Sequence, residues 1–401
     1  MPAVSLRGRT GRYVRQPAGY RAFVPAPRPP EPPIRVDGDM LALLSWADQA
    51  LGRLDGVAQT LPNPDLFVAM YVRREAVLSS QIEGTQSTLE DLLAFELDPR
   101  GLDVPRDVEE VVNYVRAMNH GLERLTHLPL SLRLLREIHA ELLTGVRGAD
   151  RRPGEFRTTQ NWIGASGARL NEATFVPPPV GDMQAALDDF ERFLHDGALP
   201  ALIHCGLAHA QLETIHPFLD GNGRVGRLLI TFLLVHRGVL HRPLLYLSLY
   251  LERHRAEYYD RLTAVREDGD WEGWLKFFLR GVGATACEAT EAARRIVGLR
   301  EQHRAIIQAR GLGVNGLRLL DLMLQRPVLN VNLVKDNLDV TFRTAGRLVE
   351  QAEHAGLLRE ITSHRRNRRF VYQQYLALFG PAEDADVEPT PLQTTEASGT
   401  G

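Results

Sequence analysis

His216-Pro217-Phe218-Leu219-Asp220-Gly221-Asn222-Gly223-Arg224-Val225-Gly226-Arg227, followed at once by the apolar run Leu228-Leu229-Ile230-Thr231-Phe232-Leu233-Leu234-Val235, is the stretch on which the reading of this chain turns. No proline lies between Pro217 and the end of the apolar run, so that run can continue as a buried helix. A loop that opens a helix aims free N–H groups and the positive end of the dipole at whatever sits before it. Gly221 and Gly223 can take backbone conformations that let successive N–H groups converge on one phosphate. Arg224 and Arg227 are neighbours on one helical face, and their guanidinium forks suit the outer oxygens of a polyphosphate. Asp220 is a candidate ligand for Mg²⁺, which takes few protein carboxylates and keeps its waters. His216, largely neutral near pH 7, is a candidate base for an incoming hydroxyl. These parts assemble into phosphoryl or nucleotidyl transfer. Asp-Gly-Asn-Gly is also a common turn, and helical arginines are usually solvated. Spacing alone leaves both readings open.

The chain has 401 residues, enough for two or three domains, and its 44% hydrophobic content can build a core. Basic and acidic residues nearly cancel, 47 against 50, so no global field marks a nucleic-acid or membrane binder. The two cysteines, Cys205 and Cys287, supply no disulfide or zinc framework and fit a reducing compartment. No run approaches the apolar length that spans a bilayer, and the arginine- and proline-rich start has no secretory h-region. A cytoplasmic protein with no membrane partner is the expectation.

Outward from the central stretch, residues 1–36 are proline-rich and read as an extended arm. Residues 37–103 read as an N-terminal helical region, with Leu66, Phe67, Met70, Val77, Leu78 and Ile82 at roughly helical spacing. Residues 104–285 form the core, helical except for two short strands, Thr158–Ile163 and Thr174–Val176, around a turn at 164–172. A linking helix covers 286–310, and glycines at 311, 313 and 316 mark a joint. From 311 to 380 the order is helix, helix, recognition-type helix and basic hairpin, which is the order of a winged helix. Residues 381–401 are acidic and small-polar, the composition of a disordered tail.

The central stretch resembles the Fic family pattern His-x-Phe-x-(Asp/Glu)-Gly-Asn-Gly-Arg-x-x-Arg at every fixed position. Far upstream, Ser79-Ser80-Gln81-Ile82-Glu83-Gly84 resembles the inhibitory (Ser/Thr)-x-x-x-Glu-(Gly/Asn) motif of many Fic proteins. The likeness runs over roughly 37–380 and implies a mainly α fold: a Fic-type helical core with a small β-hairpin flap, followed by a winged helix-turn-helix domain. It implies transfer of AMP from ATP, assisted by Mg²⁺ on Asp220, to a Ser, Thr or Tyr hydroxyl of a protein. His216 would be the base. Gly221, Asn222, Gly223, Arg224, Val225, Gly226 and Arg227 would hold the nucleotide, and one or both of Tyr258 and Tyr259, Tyr259 first, would line the adenine pocket. Glu83, with Ser79, would occupy Arg227 and exclude the γ-phosphate. Ile163, Phe175 and Val176 would belong to a flap that holds an unknown target protein by strand addition. The same resemblance leaves open a deAMPylating or bifunctional enzyme in which Glu83 orients a water. It also leaves self-modification and homodimerisation open. Between 311 and 372 basic residues outnumber acidic ones, with His364, Arg365, Arg366, Arg368 and Arg369 clustered at the wing. That cluster reads either as a DNA contact or as the solvated edge of a protein-docking module.

Overall fold

Where its prolines predict an extended arm, the chain forms a strand pair. The computed structural model describes residues 8–60, 64–99, 105, 107–164, 167–362 and 368–379. The tail expected at 381–401 and wing residues His364, Arg365 and Arg366 lie outside them. Within the arm, β1 (Gly11–Arg15) pairs antiparallel with β2 (Arg21–Pro25). The cluster from Pro25 to Pro33 lies at or beyond the end of β2, so the ladder upstream keeps its donors. Ala22 and Phe23 are buried, and the Phe23 N–H donates to the Val176 carbonyl at 2.9 Å. The arm is therefore part of the folded body.

Six helices follow: α1 (Gly38–Thr60), α2 (Pro64–Ile82), α3 (Leu89–Leu97), α4 (Val108–Arg124), α5 (Leu132–Leu142) and α6 (Val180–Leu194). Thr88 and Asp91 close a capping box at the start of α3, and Ser131 caps α5. Between α5 and α6 the expected hairpin shrinks to one bridge, Ile163 opposite Phe175. Side chains and β2 take the carbonyls that a longer ladder would need. Gln160 donates to Pro177, Arg157 to Pro178 and Phe23 to Val176.

Next come α7 (Ala201–Ile215), α8 (Asn222–His236), α9 (Ser248–Arg253), α10 (Arg255–Glu267) and α11 (Trp271–Ala309). Every residue of α7 from Leu202 to Ile215 is buried, so this helix has no solvent face and forms the axis of the core. It packs against α6, α8, α10 and α11. The boundary expected at 285/286 falls inside α11, one continuous helix. Its buried positions run on through Ala286, Ala289, Ala293, Ile296, His303 and Ile307, so no break in the apolar stripe ends it there. Gly311 and Gly313, both with φ +66°, end the run instead.

The C-terminal module contains α12 (Gly313–Gln325), β3 (Val328–Asn330), α13 (Val331–Leu338), α14 (Phe342–His354), β4 (Arg359–Glu360), β5 (Arg369–Val371) and α15 (Gln373–Leu376). Its sheet order is β3-β5-β4, with Leu329 and Glu360 both opposite Phe370. Strand β3 escapes a sequence reading because three residues are too short to show a period. Among the described residues no helix is long and apolar enough to cross a membrane.

The approach of α4 to α8 positions the functional loop, and it depends on Gly121. A Cβ there would overlap the ring of Phe232, which is fully buried. Gly121→Ala should therefore destabilise by about 1–3 kcal/mol through overpacking. Helix propensity alone predicts a gain of up to about 1 kcal/mol. Urea denaturation decides the sign; a stabilised variant would show that the helices are not in register as described.

Candidate functional site

The loop between α7 and α8 is held rigid before any ligand arrives. Pro217 disfavours right-handed helical backbone at the residue before it. His216 ends α7 in the left-handed region, at φ 49° and ψ 60°. Its carbonyl accepts from Arg157 Nε at 3.0 Å and Asn161 Nδ2 at 3.2 Å. Phe218 is fully buried and stacks on the His139 ring, with centroids 3.9 Å apart. His139 Nδ1 accepts the Gly154 N–H at 2.8 Å, so the ring proton sits on Nε2 and is donated to the Asp220 carbonyl at 3.0 Å. Burial pushes this imidazole down to about 4, which keeps it neutral.

Asn222 was expected among the nucleotide ligands, but its side chain is committed elsewhere. Oδ1 accepts the Phe218 N–H and Nδ2 donates to the Phe218 carbonyl, both at 2.8 Å. It staples the loop, and only its backbone faces the site.

His216 Nδ1 lies 3.3 Å from the Glu213 carbonyl, which can only accept, so Nδ1 carries the proton and Nε2 keeps its lone pair. Burial lowers the imidazole to about 4; the bond to Glu213 works the other way, and Arg157 and Arg266 add to the lowering. His216 is thus a neutral acceptor throughout the physiological range.

Helix α8 opens with an anion cradle. Gly221 stands at φ 76°, and its N–H is closed by Asp220 Oδ1 at 2.6 Å. The N–H groups of Asn222, Gly223 and Arg224 find no acceptor among the described residues. Over this cradle lies a carboxylate from the chain itself. A Cβ on Gly223 would overlap Glu83 Oε1 and come within 3.0 Å of Arg227 Nη1. Arg227 donates to Glu83 Oε1 at 2.8 Å, to Ser79 Oγ at 2.7 Å and to the Ser79 carbonyl at 2.9 Å. Its side chain is 2% exposed and that of Glu83 33%. Burial alone would raise the Glu83 carboxyl, but the charge and hydrogen bond of Arg227, with help from Arg224 and His216, hold it below its ordinary value.

Arg224 is also enclosed, at 1% exposure. It reaches Glu110 at 3.2 Å and Asp220 at 3.9 Å, and its Nε has no partner among the described residues. The two arginines share a helix but answer to different carboxylates, one on α4 and one just past the end of α2. Asp220 keeps much of its carboxylate exposed beside Gly148. Among the described residues no group of three His, Cys, Asp or Glu side chains could hold a metal. A Mg²⁺ ion on Asp220 would then take its other ligands from phosphates and water, as this cation does.

Other expected site residues divide between core and surface. Val225 is fully buried, and its N–H bonds the Gly221 carbonyl. Gly226 is a glycine of necessity, since a Cβ would overlap Glu213 Oε1. His209 donates to the Gly226 carbonyl and accepts from the Tyr258 hydroxyl, both at 2.9 Å. Tyr258 is therefore a buried prop, not a pocket wall. Tyr259 is 40% exposed, and its hydroxyl is raised by burial and by Glu83. At the flap, Ile163 and Phe175 exchange two hydrogen bonds, while the Val176 carbonyl is already taken by β2. The edge available for strand addition is thus the one beside Trp162 and Gly164, not that of Phe175 and Val176. Glu110, His139, His209 and Glu213 carry the site without having been flagged in the sequence. Glu213, pushed up to about 7 by burial against the field of Arg227, could have been found as the residue one helical turn before His216.

Residues 41–123 match the Fic/DOC family N-terminal model, 129–234 the Fic/DOC family model, and 317–370 a model described as HTH DNA binding domain. A protein adenylyltransferase Fic of Drosophila grimshawi is 30% identical over 196 residues, which are 48% of this chain and 36% of that protein. The Drosophila melanogaster protein of the same name is 29% identical over the same length, 35% of its own chain. This chain thus spans about a third of the curated relatives that it matches. A crystal structure of a Fic family protein from Desulfovibrio desulfuricans covers 85% of this chain and 97% of its own, with a TM-score of 0.56 and 22% identity.

Removing Glu83 strands a buried guanidinium. A fully buried pair broken in this way costs about 3–5 kcal/mol, and the exposure of Glu83 lowers that here to roughly 2 kcal/mol. Glu83→Ala should melt earlier than the wild type without nucleotide and gain more from added ATP. Equal melting temperatures in both conditions would contradict the pairing.

Proposed function

We propose that this chain, whose residues 41–123 and 129–234 match Fic/DOC family models, transfers AMP from ATP to a Ser, Thr or Tyr hydroxyl of a protein, with Glu83 as its resident inhibitor. The observation that carries this reading is the Glu83 carboxylate seated on Arg227 over the N-terminus of α8, where an anion is the natural guest. The names of the curated relatives support the activity.

In the reaction, His216 Nε2 takes the proton of the target hydroxyl as its oxygen attacks the α-phosphorus. The bond from that phosphorus to the bridging oxygen of the β-phosphate breaks, and pyrophosphate leaves with the electron pair. The N–H groups of residues 222–224 hold phosphate oxygens. Arg227 and Arg224 neutralise the departing charge, and Asp220 would hold a Mg²⁺ that screens the phosphates. Such catalysis rests on positioning and charge stabilisation. With Glu83 on Arg227, the γ-phosphate has no counter-charge, and ATP is excluded or misplaced.

The same Glu83 can orient a water for removal of AMP from a modified protein. Release of AMP from a purified modified target, with and without Glu83, separates that activity from transfer. The C-terminal module supports a DNA-binding role alongside catalysis, through its family match and through exposed Arg343 and Arg347 on α14.

His216→Ala should abolish labelling of proteins by radiolabelled ATP. Glu83→Gly should raise it at least about tenfold, equivalent to roughly 1.4 kcal/mol of lost inhibition. Labelling no higher than in the wild type would remove Glu83 from the account. With His216 near 4, well below the ordinary 6.5, the Glu83→Gly enzyme should keep its kcat/KM from about pH 6 to 8. The loss of Glu83 only lowers that imidazole further, because the carboxylate is one of the charges raising it. An acid limb centred near 6.5 would place the base elsewhere.

A further inference from the structure

We propose that the winged helix is a DNA-operated clamp on the Glu83 latch: duplex DNA takes Arg369 away from Asp98, loosens α3 and lifts Glu83 from Arg227. The proposal builds on the AMP-transfer reading and adds its regulation.

The helix that ends at the latch is held by the C-terminal module. Tyr71, in the middle of α2, packs edge-on against Phe379 with ring centroids 5.7 Å apart, and its hydroxyl donates to the Ala289 carbonyl of α11. One turn further on, Arg74 lies over Tyr246 and Glu75 accepts from the Ser248 hydroxyl and N–H. The middle of α2 is therefore fixed, and a movement of Glu83 has to come through its last turn and α3.

Helix α3 is a short lever. At one end it follows Glu83 after the turn Gly84–Thr88, where Thr85 donates to the Ser80 carbonyl and Gln81 to the Ser87 carbonyl, so α3 and the last turn of α2 are tied together. The bonds of Gln86 and Ser87 to Asp107 are the anchor that must yield. At the other end the winged helix holds it by two ion pairs. Glu96 is shared between Arg73 of α2, at 2.9 Å, and Arg326, at 3.4 Å, just before β3. Asp98 accepts from Arg369 of β5 at 2.9 Å. Strand β3 also packs directly on α3.

Arg369 belongs to the basic wing. On the neighbouring α14, Arg343 and Arg347 lie one turn apart on the exposed face and enter no ion pair among the described residues. A recognition helix with two open guanidinium groups fits the phosphate backbone of a duplex. The match of 317–370 to an HTH DNA binding domain favours the same partner. Phosphate oxygens at the wing then compete with Asp98 for Arg369. The side chains of that pair are 21% and 48% exposed, so it can be exchanged and the expected coupling is modest. Linkage makes the effect reciprocal: whatever DNA does for ATP binding, ATP does for DNA binding.

The test uses the full chain at low salt with random-sequence duplex DNA. Duplex should bind in an anisotropy titration and raise ATP labelling of the wild type about threefold to fivefold. Asp98→Asn and Arg369→Gln, each melting like the wild type, should reach that level without DNA, and Glu83→Gly should ignore DNA. Hydrogen exchange across residues 83–98 should speed up on DNA addition, a reading that needs no catalysis. Absence of duplex binding overturns the proposal. So does binding that leaves both exchange and labelling unchanged, and so does equal stimulation by single-stranded RNA, which removes the choice of partner. If Glu83→Gly labels nothing while exchange still quickens, the clamp stands and AMP transfer falls.

Discussion

A buried guanidinium must have an anion, and the site is organised around that requirement. Arg227 lies on the first turns of α8 beneath α2, enclosed by protein, and no water shell can serve as its counter-charge. Burial works against its charge, and Glu83 more than restores it. Two anions can meet the need: a carboxylate from the chain, or a phosphate from a nucleotide. The two cannot share the N-terminus of one helix, so inhibition and substrate binding become alternative ways of satisfying one cation. Such an arrangement biases an equilibrium rather than blocking a channel. Small changes at the far end of α3 can therefore matter, since about 1.4 kcal/mol changes an occupancy ratio tenfold.

The loop bearing the base is built differently. Apart from Arg157 on the His216 carbonyl, neutral groups hold it, each with a tautomer or orientation fixed by a backbone partner: His139 between Gly154 and Asp220, Asn222 on Phe218, and His216 on Glu213. Neutral donors and acceptors leave the field at the cradle to the arginines. They also keep the loop geometry independent of which anion sits there. The base stays in place while the latch opens and closes.

The chemistry was legible where residue type and conformation coincide. Glycines at 221 and 223, arginines at 224 and 227, and the four-residue spacing of Ser79 and Glu83 carry their meaning in the sequence, because a short loop and one helical turn bring them to their positions. Glu110 was not legible: it meets Arg224 through packing between separate helices, which leaves no local period. Asn222 and Tyr258 mislead for a related reason. Each is a polar residue beside the site whose side chain is turned into the fold by a partner far away or one turn back. In the arm the prolines mask a short apolar run, Ala22-Phe23-Val24, that pairs as a strand, and the flap is shorter than its composition suggests because side chains and β2 take its carbonyls.

Competition between Glu83 and the outermost phosphate is the central claim, and titration calorimetry tests it directly with ATP and AMP on the wild type and on Glu83→Ala. ATP should bind the variant about tenfold more tightly, a gain of roughly 1.4 kcal/mol, while AMP, which has no phosphate for Arg227, should bind both proteins alike. Equal tightening for AMP and ATP, or none for either, would contradict it.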